Sequence, residues 1–153
     1  MAYYWDTFEH RLEITADLVA ETALRVGAGG ESAEPSVTDL PVLRDALGRP
    51  YLPGSSLRGV LRSHVERLVR SLETEAGDGR GACRPTHSEK EWCLKSHDIE
   101  DWQAKARNRD DGDEWLAGQI WTHSCRVCRV FGNPWLASRV RLNDLYAPQE
   151  IRI

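Results

Sequence analysis

Four cysteines, Cys83, Cys93, Cys125 and Cys128, all fall within one stretch that has too little apolar character to fold alone. They are separated by nine, thirty-one and two residues. The segment 73–120, which holds the first two, is acidic and Gly-rich at Glu73–Gly81 and nearly all polar at Arg107–Glu114. It shows no long clean period, and Trp92, Trp102 and Trp115, with Trp121 just after, are its large apolar anchors. Such a segment cannot easily offset its own ordering entropy. Cys125-Arg-Val-Cys128 has the spacing that turns two thiolates toward one ion, and a structural metal contributes ~10–16 kcal/mol in finger peptides. Zinc is the favoured reading, with His87, His97 and His123 as possible substitutes for one thiol. Buried free thiols and a redox pair are the alternatives.

The clearest local element follows Pro53-Gly54-Ser55-Ser56. Pro-Gly makes a turn, and Ser55 is placed to cap a helix. Leu57, Val60, Leu61, Val65, Leu68, Val69 and Leu72 recur at three- and four-residue spacing, which predicts an amphipathic helix to Leu72 with that face inward. Arg58, Arg62, Glu66 and Arg70 recur every four residues on another face. The helix start offers backbone N–H groups, two hydroxyls and Arg58 to one anion. A capped helix with nothing bound fits the same residues.

Upstream, His10 to Leu18 alternates apolar and polar residues, and the alternation resumes from Ala20 to Val26. Period two predicts strands. Gly27-Ala-Gly29-Gly30 opens a loop that runs to Pro41, and short extended pieces at Val42–Arg44 and Pro50–Leu52 flank a turn over Asp45–Arg49. A last strand is expected at Ala137 to Leu142. Asp39, in the polar loop, is ordinarily a turn former or cap, and Asp45 reads as local structure.

The chain of 153 residues has a net charge of −4, but the charge is unevenly placed. Residues 40–70 carry six basic side chains against two acidic, and 121–153 carry five against two. Seventeen of the twenty basic residues are Arg, whose planar fork suits phosphate. A local basic surface can attract a polyanion despite an acidic total, although solvated faces would give the same count. No apolar run approaches the ~20 residues needed to span a bilayer. Met1 to Asp6 has neither the basic nor the apolar region of a signal peptide, so a cytoplasmic location without membrane contact is expected.

Gly27-x-Gly29-Gly30, then Thr38-Asp39-Leu40-Pro41-Val42-Leu43-Arg44-Asp45, then Gly48-Arg49-Pro50-Tyr51-Leu52-Pro53-Gly54-Ser55-Ser56-Leu57-Arg58-Gly59 closely resembles the N-terminal half of the RAMP-superfamily backbone subunits of type III CRISPR effectors. Cys125-x-x-Cys128-Arg129-Val130-Phe131-Gly132 and Ser138–Asp144 resemble later parts of the same family. The resemblance implies an α+β fold: a partial ferredoxin-like (RNA-recognition-motif-like) core with a zinc-binding insertion. The core's N-terminal part would occupy 1–72, the insertion 73–132 and the return to the core sheet 133–153, with the fold incomplete at its C-terminus.

The same resemblance implies guide-RNA binding and metal-dependent endonucleolytic cleavage of complementary target RNA. Asp39 would be catalytic with Mg²⁺ or Mn²⁺, and His10 or His64 is the alternative proton acceptor. Ser55, Ser56, Arg58 and, more weakly, Arg62 would hold guide RNA. Cys83, Cys93, Cys125 and Cys128 would hold structural Zn²⁺. The expected partners are guide RNA, target RNA and other effector subunits or a complementary C-terminal chain. A non-catalytic guide-RNA-binding subunit, or a zinc-stabilised assembly subunit, is the competing expectation.

Overall fold

The computed structural model describes residues 10–27, 42–85 and 88–147. In chain order it contains strand β1 (Tyr51–Leu52), helix α1 (Gly54–Leu72), a 3-10 turn at Glu89–Glu91, helices α2 (Ser96–Ala106), α3 (Gly112–His123) and α4 (Arg126–Phe131), and strand β2 (Leu145–Tyr146). Helices with a small antiparallel sheet make the chain α+β, as expected. The described residues form two compact units. One contains Gly59–Arg141, and the other contains parts of 12–58 and 142–153.

In the second unit β1 and β2 pair antiparallel, Tyr51 opposite Tyr146 and Leu52 opposite Leu145. The two tyrosine rings stack at 5.7 Å, a cross-strand pairing that steadies a short ladder. The turn expected at Asp45–Arg49 is present. The Asp45 carboxylate accepts the N–H of Leu47 at 2.9 Å and that of Arg49 at 2.8 Å, and Gly48 takes φ +77°.

The helix predicted from Ser55 is present but begins one residue earlier, and Ser55 lies inside its first turn. Asp144, ninety residues away, supplies the cap: its Oδ1 accepts the Gly54 N–H at 2.8 Å. Gly54 is required there, because a Cβ would collide with the Leu142 carbonyl oxygen.

The strands expected at 10–18 and 20–26 are not formed. Leu12 is 84% and Ile14 78% exposed, and among the described residues the stretch up to Gly27 makes one isolated bridge, Gly27 with Val42. Alternation supplies a face, but a strand also needs a hydrogen-bonding neighbour. The strand expected at Ala137–Leu142 is also absent. Ser138 Oγ donates to the Val140 carbonyl at 2.9 Å and accepts the Val140 N–H at 3.2 Å, so the side chain takes backbone groups a ladder would use.

Two apolar clusters build the Gly59–Arg141 unit. Ala82, Cys83, Cys125, Val127, Cys128 and Phe131 form one, joined by Val65 and Val69. Leu94, Ile99, Ile120 and Leu136 form the other, with Trp102, Leu116, Trp121 and Trp135 around them. Cys93 packs against both. Helices α2 and α3, in a stretch that reads as irregular, pack on each other. Ile99, Trp102 and Ala106 do carry helical spacing, but only over two turns and among charged residues.

α1 reverses part of its expected orientation. Val65 and Val69 face the first cluster as predicted, while Val60 is 69% and Leu72 77% exposed. Glu66, on the charged face, is only 9% exposed. Arg62 and Arg70 pair with it at 2.8 and 3.4 Å, and such pairing is what a buried charge requires.

Candidate metal centre and nucleic-acid interface

The sulfur cluster is assembled by three short backbone devices. Cys125 stands just before α4, and its Sγ accepts the Cys128 N–H at 3.5 Å, which turns both sulfurs the same way. The turn at Gly77–Arg80 lies on the end of α3, with Gly79 N–H donating to the Ser124 carbonyl at 2.9 Å, and Cys83 follows it. Arg84 N–H donates to the Glu91 carbonyl at 3.1 Å, which draws the 3-10 turn and Cys93 in beside Cys83.

All four Sγ atoms lie within 4.8 Å of one another, and Cys83 and Cys128 are 3.6 Å apart. None of the four is in a disulfide. A tetrahedral ion with Zn–S bonds of about 2.3 Å separates its sulfurs by ~3.8 Å, so the donor set and spacing fit a metal such as zinc. Hydrogen bonds from Cys128, then Cys83 and Cys93, hold the Cys125 thiol far below its ordinary value. The bond to Cys125 pushes Cys128 and Cys93 upward. Four thiols this close share protons, and a metal replaces shared protons on binding.

The histidines considered as substitutes are placed otherwise. His97 Nε2 lies 3.0 Å from Asp98. His123 Nδ1 lies 2.7 Å from Asp78, and its ring stacks on Trp102 at 5.0 Å. His87 lies outside the described residues.

The start of α1 exposes Ser55, Ser56, Arg58 and Gly59. A Cβ on Gly59 would meet nothing within 4 Å. Glycine inside a helix costs about 1 kcal/mol relative to alanine, and no neighbour among the described residues requires it. The Gly54 N–H is occupied by Asp144, which leaves the serines and Arg58 as the outward groups of this turn.

Arg62, also read as an RNA-binding candidate, points inward. Its Nη1 donates to the Gly132 carbonyl at 2.9 Å and its Nη2 to Cys128 Sγ at 3.6 Å. Burial acts to lower the Arg62 pKa, but the Glu66 hydrogen bond and the charges of Cys128, Glu66 and Cys83 outweigh it and the net shift is upward. Asp39 lies outside the described residues. Sequence reasoning missed Glu66, Arg70 and Asp144 as site-building residues. The Arg62-Glu66-Arg70 spacing was visible, but nothing local showed that this face turns inward.

The RAMP superfamily model matches residues 17–152, nearly the whole chain. The chain belongs to the RAMP superfamily. It is similar to the CRISPR system Cms endoribonuclease Csm3 of Methanothermobacter thermautotrophicus, 35% identical over 50% of this chain and 30% of that protein. The protein of the same name from Methanocaldococcus jannaschii is 35% identical over 52% of this chain and 31% of its own length. That from Mycobacterium tuberculosis is 41% identical over 37% and 25%. The matched segment thus spans under a third of the length of these curated relatives. Among the described residues no helix is long and apolar enough to cross a membrane.

Proposed function

We propose that this chain is a guide-RNA-binding backbone module of a type III CRISPR ribonucleoprotein in the cytoplasm, and that it contributes to cleavage of target RNA paired with the guide. The observation that carries this reading is the outward first turn of α1, where Ser55, Ser56 and Arg58 stand beside the open position at Gly59. Hydroxyls and a guanidinium suit a phosphate, and a side-chain-free Gly59 admits close approach of a sugar-phosphate backbone. The relatives' names, which specify a CRISPR endoribonuclease, support the substrate class.

In this reading residues 1–72 and 133–153 belong to a partial ferredoxin-like core, and 73–132 are an insertion held by zinc on Cys83, Cys93, Cys125 and Cys128. Asp39 is the catalytic group. Cleavage with a 2′-hydroxyl nucleophile needs in-line geometry and a carboxylate that accepts its proton or holds Mg²⁺ or Mn²⁺. The test is reconstitution with guide and other effector subunits: cutting at the position this subunit covers supports the reading, and absence of guide RNA from the assembly overturns it.

A second reading, a zinc-stabilised assembly subunit that does not cut, is favoured by the uncovered apolar residues Val60, Leu68 and Leu72 on α1. A complementary protein chain is the partner that would cover them. A purified chain that is a monodisperse, cooperatively melting monomer would overturn this second reading.

A further inference from the structure

The geometry points to Arg62 as a positioning residue for the sulfur cluster: aimed by buried Glu66, it donates a hydrogen bond to the Cys128 thiolate and offsets the cluster's negative charge. The inference rests on the zinc reading of the four cysteines. Four thiolates around a divalent ion leave a net charge of −2, enclosed here among Ala82, Val127 and Phe131. Such an excess is costly without a cation beside it.

Arg62 is placed as that cation. Its three nitrogens have three separate acceptors: Nε on Glu66 at 2.8 Å, Nη1 on the Gly132 carbonyl at 2.9 Å and Nη2 on Cys128 Sγ at 3.6 Å. The first two fix the plane of the guanidinium, so the third donor is directed at sulfur. Glu66 also holds Arg70 at 3.4 Å, and Arg70 Nη1 donates to the Cys83 carbonyl at 2.8 Å. One buried carboxylate therefore orients two arginines, one toward the sulfur of Cys128 and the other toward the backbone of Cys83. Partners of this kind around metal ligands influence metal retention by about 10–100-fold.

A merely structural ion pair would hold α1 in place without touching the electrons of sulfur, so the test reads the sulfur. The chain is loaded with Co²⁺, and its thiolate-to-metal charge-transfer band is recorded beside its rate of metal loss to a chelator. Arg62→Met removes the donor while keeping an apolar stem. It should move the band to lower energy, because a thiolate that accepts no hydrogen bond is a stronger electron donor, and weaken metal retention by about 10–100-fold. Arg62→Lys keeps the charge beside Glu66 but has one nitrogen for three acceptors, and should shift the band the same way. It decides the matter if Arg62→Met does not fold. A Co²⁺ thiolate band that is identical in wild type and the folded variants overturns the role of Arg62 alone. A wild-type chain that takes up no Co²⁺ in a thiolate site overturns the metal reading, and this inference with it.

Discussion

Asp144 caps a helix that begins ninety residues before it, with its carboxylate oxygen 2.8 Å from the Gly54 N–H. The contact joins the segment leading into β2 to the first turn of α1. It also places a negative charge at the helix end where an anion would otherwise be most welcome.

Asp144→Ala should therefore destabilise the chain by about 1 kcal/mol, in the range of lost N-caps, while Asp144→Asn keeps the acceptor and most of the stability. Thermal melts followed by circular dichroism measure both. With its negative charge gone, Asp144→Asn should bind RNA more tightly at low salt. Equal melting temperatures for Asp144→Ala and wild type would count against the cap.

Arg58→Ala should weaken every guide RNA alike, since phosphate contacts carry no base information. The slope of log affinity against log salt should fall by about 0.7 for one lost single-strand contact. Filter binding across a salt series provides the slope. An unchanged slope would remove Arg58 from the interface.

Chain purified without chelator should hold one zinc, read by elemental analysis, and Cys125→Ser should lose it and disorder the 83–128 segment. Because the thiols must give up protons to the metal, affinity should rise with pH and fall on acidification. Chelator titrations at several pH values test that sign, and pH-independent retention would contradict a thiolate site.

Asp39→Ala in a reconstituted effector should abolish cutting at the position this subunit covers while guide loading and target binding persist. Undiminished cleavage would exclude Asp39 from the chemistry. Lost binding would give it a structural role instead.

What could be read from the residues alone was local. The helix to Leu72, the Asp45–Arg49 turn and the Cys-x-x-Cys spacing each depend on neighbours in sequence, and each is present, whereas the turn expected at Pro53-Gly54 is not, since Gly54 already opens the helix. The convergence of Cys83 and Cys93 on Cys125 and Cys128 was anticipated because a polar segment needed a cross-link. The errors came from tertiary context. Alternation in 10–26 could not reveal that no ladder partner among the described residues would be beside it, and Ser138 diverted backbone groups from the strand expected around it. The apolar stripe of α1 pointed one way, but neutralising Glu66 with two arginines let the charged face turn inward.

Cys93 touches both apolar clusters of the Gly59–Arg141 unit. A shared member means that neither cluster can open without disturbing the other, so the two should exchange their amide protons as a single cooperative block rather than as separate foldons. The chain would then tolerate losses at the rim of either cluster, such as Trp135 or Val140, far better than a change at this one half-buried sulfur.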